Sequence, residues 1–208
     1  MQQQSQMSGS ESIQYGQVPA HLNHGAHEIE DIHEVLSSCI NCMDQYTLYK
    51  QHCQSPELRD IIERQYQAVQ QEYNTLLDCF STGQDPQVPT QAYNMQQENN
   101  VTFGMQSTAP HQPCQDASQF GDQQIAAGML DLQKSRSLLQ AGAACEVTNP
   151  VVRRVLSASI PNSVEMAYEI FLYQNQNGFY CVPQFTQEQS TQLIQSFEPA
   201  HFQSTPLH

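Results

Sequence analysis

The stretch HEIEDIHE at residues 27–34 holds the densest set of side chains in the chain able to ligate a metal or move a proton. Glu30 and His33 stand three apart, a spacing that puts a carboxylate and an imidazole on one helix face, and His27 extends the row. A dinuclear centre in a helical bundle needs a Glu from each of two helices and Glu-x-x-His from each of the other two. This chain supplies one such pair and no second. Glu63 is followed by Tyr66 and Glu165 by Tyr168, at seven residues past Pro56 and fifteen past Pro150, so the two do not align. Residues 27–34 therefore read first as an acidic opening turn favoured by the helix dipole. A metal site drawing on Glu30, His33, Glu63 and Glu146 is the alternative.

The other reactive groups are thiols. Cys39 and Cys42 form a Cys-x-x-Cys without a partner pair, and Cys39 sits on an apolar stripe where cysteine packs as a small hydrophobe. Cys53, Cys114, Cys145 and Cys181 fall near helix ends or in connections and are expected to be reachable for cross-linking. Glu146 continues the apolar row of its helix, which predicts partial burial against Arg153 or a free N–H at the next helix start. There is no Ser/His/Asp or Cys/His pattern in a convincing local context and no glycine-rich phosphate cradle. No catalytic residue and no cofactor are expected.

Helices must position these groups. Ile29, Ile32, Leu36, Cys39, Met43 and Tyr46 step by three and four, predicting a helix from about residue 27 to His52 or Cys53. Ser55 and Pro56 then open a second, with Leu58, Ile62, Tyr66, Val69, Tyr73, Leu76 and Phe80 on one face and Gly83 beyond it. A serine at the N-cap and a proline at the first helical position cost no hydrogen bond, because that N–H has no intrahelical acceptor. The same device recurs 94 residues later. SPELR at 55–59 becomes NPVVR at 149–153, so Pro56 and Arg59 correspond to Pro150 and Arg153. A third helix from about 119 to Glu146 carries Ile125, Met129, Leu132, Leu139 and Ala143, with Arg136 interrupting the row. The fourth runs from Pro150 to Gly178, and Pro161 within it predicts a kink or break.

Each hairpin alone would leave an apolar stripe in water, so the two are expected to close on each other. The fold class is all-α, an antiparallel four-helix bundle of two hairpins, 27–80 and 119–180, joined by a long linker at 81–118. Residues 27–180 form one domain. Flexible tails are expected at 1–26, rich in Gln and His, and at 181–208, where 186–197 has the pattern of a short helix.

Composition narrows the function. Seven basic residues against 21 acidic ones give a net charge of −14, which repels a phosphate backbone and argues against nucleic acid as a partner. No apolar run reaches the roughly 20 residues of a membrane helix, and the first residues lack the pattern of a secretion signal. Glutamine accounts for 34 of 208 residues while lysine accounts for two, so polarity rests on neutral amides, a balance more familiar in assembling proteins than in metabolic enzymes.

The second half resembles the bacterial spore coat proteins of the coat F type. The likeness runs through DQQIAAGMLDLQKSRSLLQAGAACEVTNPVVRRVL, with Asp122, Lys134, the Glu146–Pro150 corner and Arg153, and ends at NQNGFYCVP with Gly178, Phe179 and Tyr180. It covers about 65 residues, and the first half looks like a divergent copy. The resemblance implies a ferritin-like bundle and a structural, non-enzymatic place in the endospore coat. It implies synthesis in the mother-cell cytoplasm, deposition on the spore surface, and partners that are other coat proteins or further copies of the chain. Reachable thiols and glutamines would then be cross-linking points. A ferritin-like metal-binding protein or metal-dependent oxidoreductase is the competing expectation.

Overall fold

A computed structural model describes residues 24–105, 110 and 112–200. The expected tail at 1–26 lies outside the described residues up to residue 23, as do residues 106–109 and 111 of the linker and 201–208 of the C-terminal tail. Four long helices form the bundle: α1 (Ala26–His52), α2 (Pro56–Thr82), α3 (Asp122–Glu146) and α4 (Pro150–Gln176). A short α5 (Gln187–Ile194) follows and buries none of its residues.

The helix starts follow the sequence logic. Ser55 Oγ accepts from Leu58 N at 3.2 Å, and Asn149 Oδ1 accepts from Val151 N at 2.9 Å, with Pro56 and Pro150 at the first positions. Gly83 closes α2 in the left-handed region at φ 68°, a conformation that costs a Cβ-bearing residue about 1 kcal/mol or more. α1 packs on α2 and α3, and α2 packs on α4, so the helices stand in the order α1–α2–α4–α3 around the core. One long crossing connection between two hairpins is the ferritin-like arrangement.

The internal duplication extends to the corners. Asp122, at the start of α3, accepts from Gln54 N and Ser55 N at 2.8 and 3.0 Å. Glu28, 94 residues earlier at the start of α1, accepts from Thr148 N and Asn149 N at 2.9 and 3.2 Å. Each hairpin thus caps the other's turn with a carboxylate at the equivalent position.

Two readings change. The buried face of α1 is Glu28, Ile32, Val35, Cys39, Cys42, Tyr46 and Tyr49, a strict four–three alternation, while Ile29 is exposed. The row therefore passes through Val35 and Cys42 and leaves Leu36 and Met43 on its flank, because two-helix seams select the narrower heptad. α4 also runs unbroken through Pro161. The ring faces solvent, where the carbonyl it deprives of a donor can be hydrated, and the flanking turns are held by buried Leu156, Asn162, Ser163 and Met166.

The core has two apolar clusters. One gathers Tyr46, Ile62, Met129 and Ile170, and the other Ile32, Leu76, Val152 and Leu156. Gly128 lets Tyr49 lie flat on α3, since a Cβ there would collide with the Tyr49 hydroxyl.

Candidate functional site

Between the two apolar clusters the bundle carries a band of buried polar side chains. Arg136 of α3, the residue that interrupts the apolar row, points inward and is 2% exposed. Its Nη2 lies 2.8 Å from Glu72 Oε1 on α2 and 3.5 Å from Cys39 Sγ on α1, and its Nη1 donates to Gln133 Oε1 at 2.9 Å. Gln140 donates to the same Glu72 oxygen and accepts from Ser163 Oγ of α4 at 2.9 Å. All four helices meet at this point.

The bonds continue toward α2 and α4. Gln133 Nε2 donates to the Tyr46 hydroxyl at 2.9 Å, Tyr46 donates to Gln65 Oε1 at 2.7 Å, and Gln65 Nε2 donates to Glu169 Oε2 at 3.0 Å. Glu169, fully buried on α4, also accepts from Arg64 Nη1 at 2.7 Å and from the Tyr93 hydroxyl of the crossing connection. The connection is strapped down by one face of α4. Asn162 pairs with Tyr93 N and Gln91 O at 2.8 Å each, Glu169 accepts from Gln96 N at 3.1 Å, and Asn175 binds Thr102 N at 2.7 Å and Thr102 O at 2.9 Å.

The electrostatics follow from this pairing. Burial works against the Arg136 charge, yet the Glu72 carboxylate beside it holds the guanidinium firmly protonated. Burial pushes Cys39 up to about 12 and Cys42 up to about 11, the nearby guanidinium notwithstanding. The Tyr93 hydroxyl is pushed up by burial and by Glu169. Neither thiol is a nucleophile at neutral pH, because the reactive form is the thiolate.

A dinuclear metal centre does not fit this donor set. Each of the two buried carboxylates in the band has its own guanidinium, the α1 and α3 positions hold Cys39 and Arg136, and among the described residues no imidazole enters the band. Glu30 and His33 face solvent on α1, and Glu63 pairs with Lys50 at 2.8 Å. Glu146 is exposed and takes His27 as its ion-pair partner at 3.3 Å, whereas Arg153 projects outward from the first turn of α4. Among the described residues, none of Glu30, His33 and Glu63 joins a group of three metal-ligating atoms.

The thiols divide by position. Cys39, Cys42, Cys53 and Cys79 are buried, Cys114 and Cys145 are exposed, and Cys181 is half-buried. Cys53 is shut in under the α1–α2 corner, 3.3 Å from Ser55 O, with burial pushing it up to about 11. The remaining motif residues are structural neighbours of the corners and the α4 end. Arg59 Nη2 donates to Cys53 O at 2.6 Å, Gly178 takes φ 73°, and Tyr180 meets Phe171 edge-on at 5.3 Å. Glu72 and Glu169 carried no sequence signal beyond heptad position, and Tyr93, in the crossing connection, carried none. Arg136 did, because an arginine inside an apolar row demands a buried anion.

These features define a class, a ferritin-like bundle whose interior carries buried ion pairs. Residues 121–184 match the Coat F domain family. The chain is 43% identical over 182 residues to the spore coat protein F-like protein YhcQ of Bacillus subtilis (strain 168), covering 88% of this chain and 84% of that protein. The chain belongs to the coat F family of spore coat proteins. Its fold is similar to that of a candidate spore coat protein of Bacillus halodurans C-125, seen in a crystal structure, with a TM-score of 0.57 at 15% identity over 78% of this chain and 94% of the other.

Proposed function

We propose that the protein is a structural, non-enzymatic component of the endospore coat that works by assembly with other coat proteins or with further copies of itself. It is made in the mother-cell cytoplasm and laid down on the spore surface. The observation that carries this reading is the filled bundle centre. Arg136 and Arg64 each pair with one of the two buried carboxylates of the band, which supports an interior that serves rigidity.

Assembly contacts then belong to the surface. Cys114, Cys145 and Cys181 are the thiols open to partners, and the buried Cys53 drops out of the cross-linking set. In an oxidising spore shell such thiols join neighbouring chains. Exposed Gln187, Gln189, Gln192 and Gln195 of the α5 region offer acyl groups for isopeptide bonds to lysine made by a separate transglutaminase. The test is a fluorescent fusion in sporulating cells together with reduced and non-reduced gels of spore extracts. Spore-surface fluorescence, with high-mass bands that collapse on reduction and vanish when Cys114, Cys145 and Cys181 become serine, is expected. A diffuse cytoplasmic signal would overturn the assignment to the coat. Identical monomer bands in both gels would remove thiols from the assembly.

A further inference from the structure

The corner where α1 begins and α3 ends carries a set of ligands that the bundle does not need. His27 Nδ1 lies 3.3 Å from Glu146 Oε2 and 3.9 Å from Asp31 Oδ2, and one donor atom from each of the three falls within 4.8 Å of the others. The Asp31 side chain is 21% exposed, but its Oδ2 is shut off from solvent and has no hydrogen-bond partner among the described residues. A carboxylate oxygen in that position is short of a cation or a donor.

The internal duplication supplies a control. The carboxylate that caps the opposite turn is present at both corners, as Glu28 and Asp122. Shifting His27, Asp31 and Glu146 by 94 residues gives Gly121, Ile125 and His52, which is no ligand set. The capping carboxylate is therefore what the fold requires, and the triad is an addition to one corner. That corner is also stiff. Glu28 sits next to His27 and binds Thr148 N and Asn149 N at 2.9 and 3.2 Å, which fixes α1 against the end of α3. The negative end of the α3 dipole and the positive end of the α1 dipole meet here and largely offset each other, so the ligands decide what binds.

We propose that His27, Asp31 and Glu146 form a surface site for one divalent cation of the zinc class. One imidazole and two carboxylates suit zinc and its borderline neighbours better than calcium or magnesium, which favour all-oxygen shells. Three protein ligands leave a fourth position to water or to a side chain of a neighbouring molecule. The acidic surface, with net charge −14, raises the local cation concentration.

The test is calorimetric titration of the full chain with zinc chloride, in a background where Cys114, Cys145 and Cys181 are serine so that open thiols do not compete. Uptake of zinc that weakens about tenfold or more in His27→Ala and in Glu146→Gln is expected, since loss of even an outer-shell partner at a metal site costs roughly 10–100-fold. Glu30→Gln and His33→Ala, one turn away on the same helix, should titrate like the parent. Zinc should raise the melting temperature of the parent and of these two controls more than that of His27→Ala. Absence of zinc uptake, or an affinity unchanged in His27→Ala and Glu146→Gln, would overturn the site.

Discussion

The Arg136 guanidinium lies 2.8 Å from the Glu72 carboxylate at the middle of the bundle, with neither side chain more than 4% exposed. Helix α3 delivers the cation and helix α2 the anion, and these two stand diagonally across the core. The pair is not fully satisfied, because Glu72 Oε2 and Arg136 Nε have no hydrogen-bond partner among the described residues. Breaking it and replacing it should therefore have opposite consequences. Arg136→Met alone strands a buried carboxylate and should cost about 3–5 kcal/mol in urea unfolding. The double change Arg136→Met with Glu72→Leu should recover most of that loss. If the double variant is as unstable as the single one, the ion pair is not the source of the cost.

Glu28 links stability to acid. Burial pushes its carboxyl up, but hydrogen bonds from Thr148, His24 and Asn149 outweigh burial and hold it below the ordinary value of 4.5. A group with a depressed folded pKa contributes stability that is complete above the unfolded value and disappears as pH falls through the folded one. The parent should thus lose stability below about pH 4.5, and Glu28→Gln should flatten part of that slope. At neutral pH the same change should cost about 1.5–3 kcal/mol, the range for hydrogen bonds to a charged group. Denaturant unfolding across pH 3–7 reads both effects.

Tyr93 is the anchor of the crossing connection, through its hydroxyl on Glu169 and its N–H on Asn162 at 2.8 Å. Tyr93→Phe keeps the ring and leaves Glu169 one donor short, which should cost about 1–3 kcal/mol. Hydrogen exchange should speed up first at Gln96 N and Thr102 N, whose acceptors Glu169 and Asn175 lie further along the same α4 face. Unchanged exchange there would mean the strap holds without Tyr93.

Thiol chemistry should separate the seven cysteines into two sets. In the native protein an aromatic disulfide reagent should react promptly at Cys114, Cys145 and Cys181. Cys39, Cys42, Cys53 and Cys79 are buried, with burial pushing them up to about 12, 11, 11 and 12, and should react at the rate of unfolding. Mass spectrometry of timed, alkylated samples resolves the sets, and early labelling at Cys53 would contradict its burial.

Helix starts, helix count and the duplicated plan were legible in the residues, because they rest on local causes. Ser55–Pro56 and Asn149–Pro150 start helices through backbone chemistry that neighbours alone decide. The 94-residue repeat exposes two copies of one hairpin without any coordinates, and coat F membership follows from the order of motifs in the second copy. What the tertiary structure decided was the meaning of polar residues. Arg136 looked like a flaw in an apolar row until Glu72 arrived from 64 residues away to neutralise it. Glu146 looked half-buried against Arg153 or a free N–H of the next helix start, yet the packing of α1 beside α3 put His27 and Asp31 there instead. Cys53 looked open at a helix end, and the capped corner closed over it. Pro161 predicted a kink or a break, and the break does not occur, because tertiary burial on the opposite face of α4 outweighs one missing hydrogen bond. Local rules set where a helix begins, whereas the fate of a charge or a thiol depends on which distant group the fold brings against it, and no spacing along one chain encodes that distance.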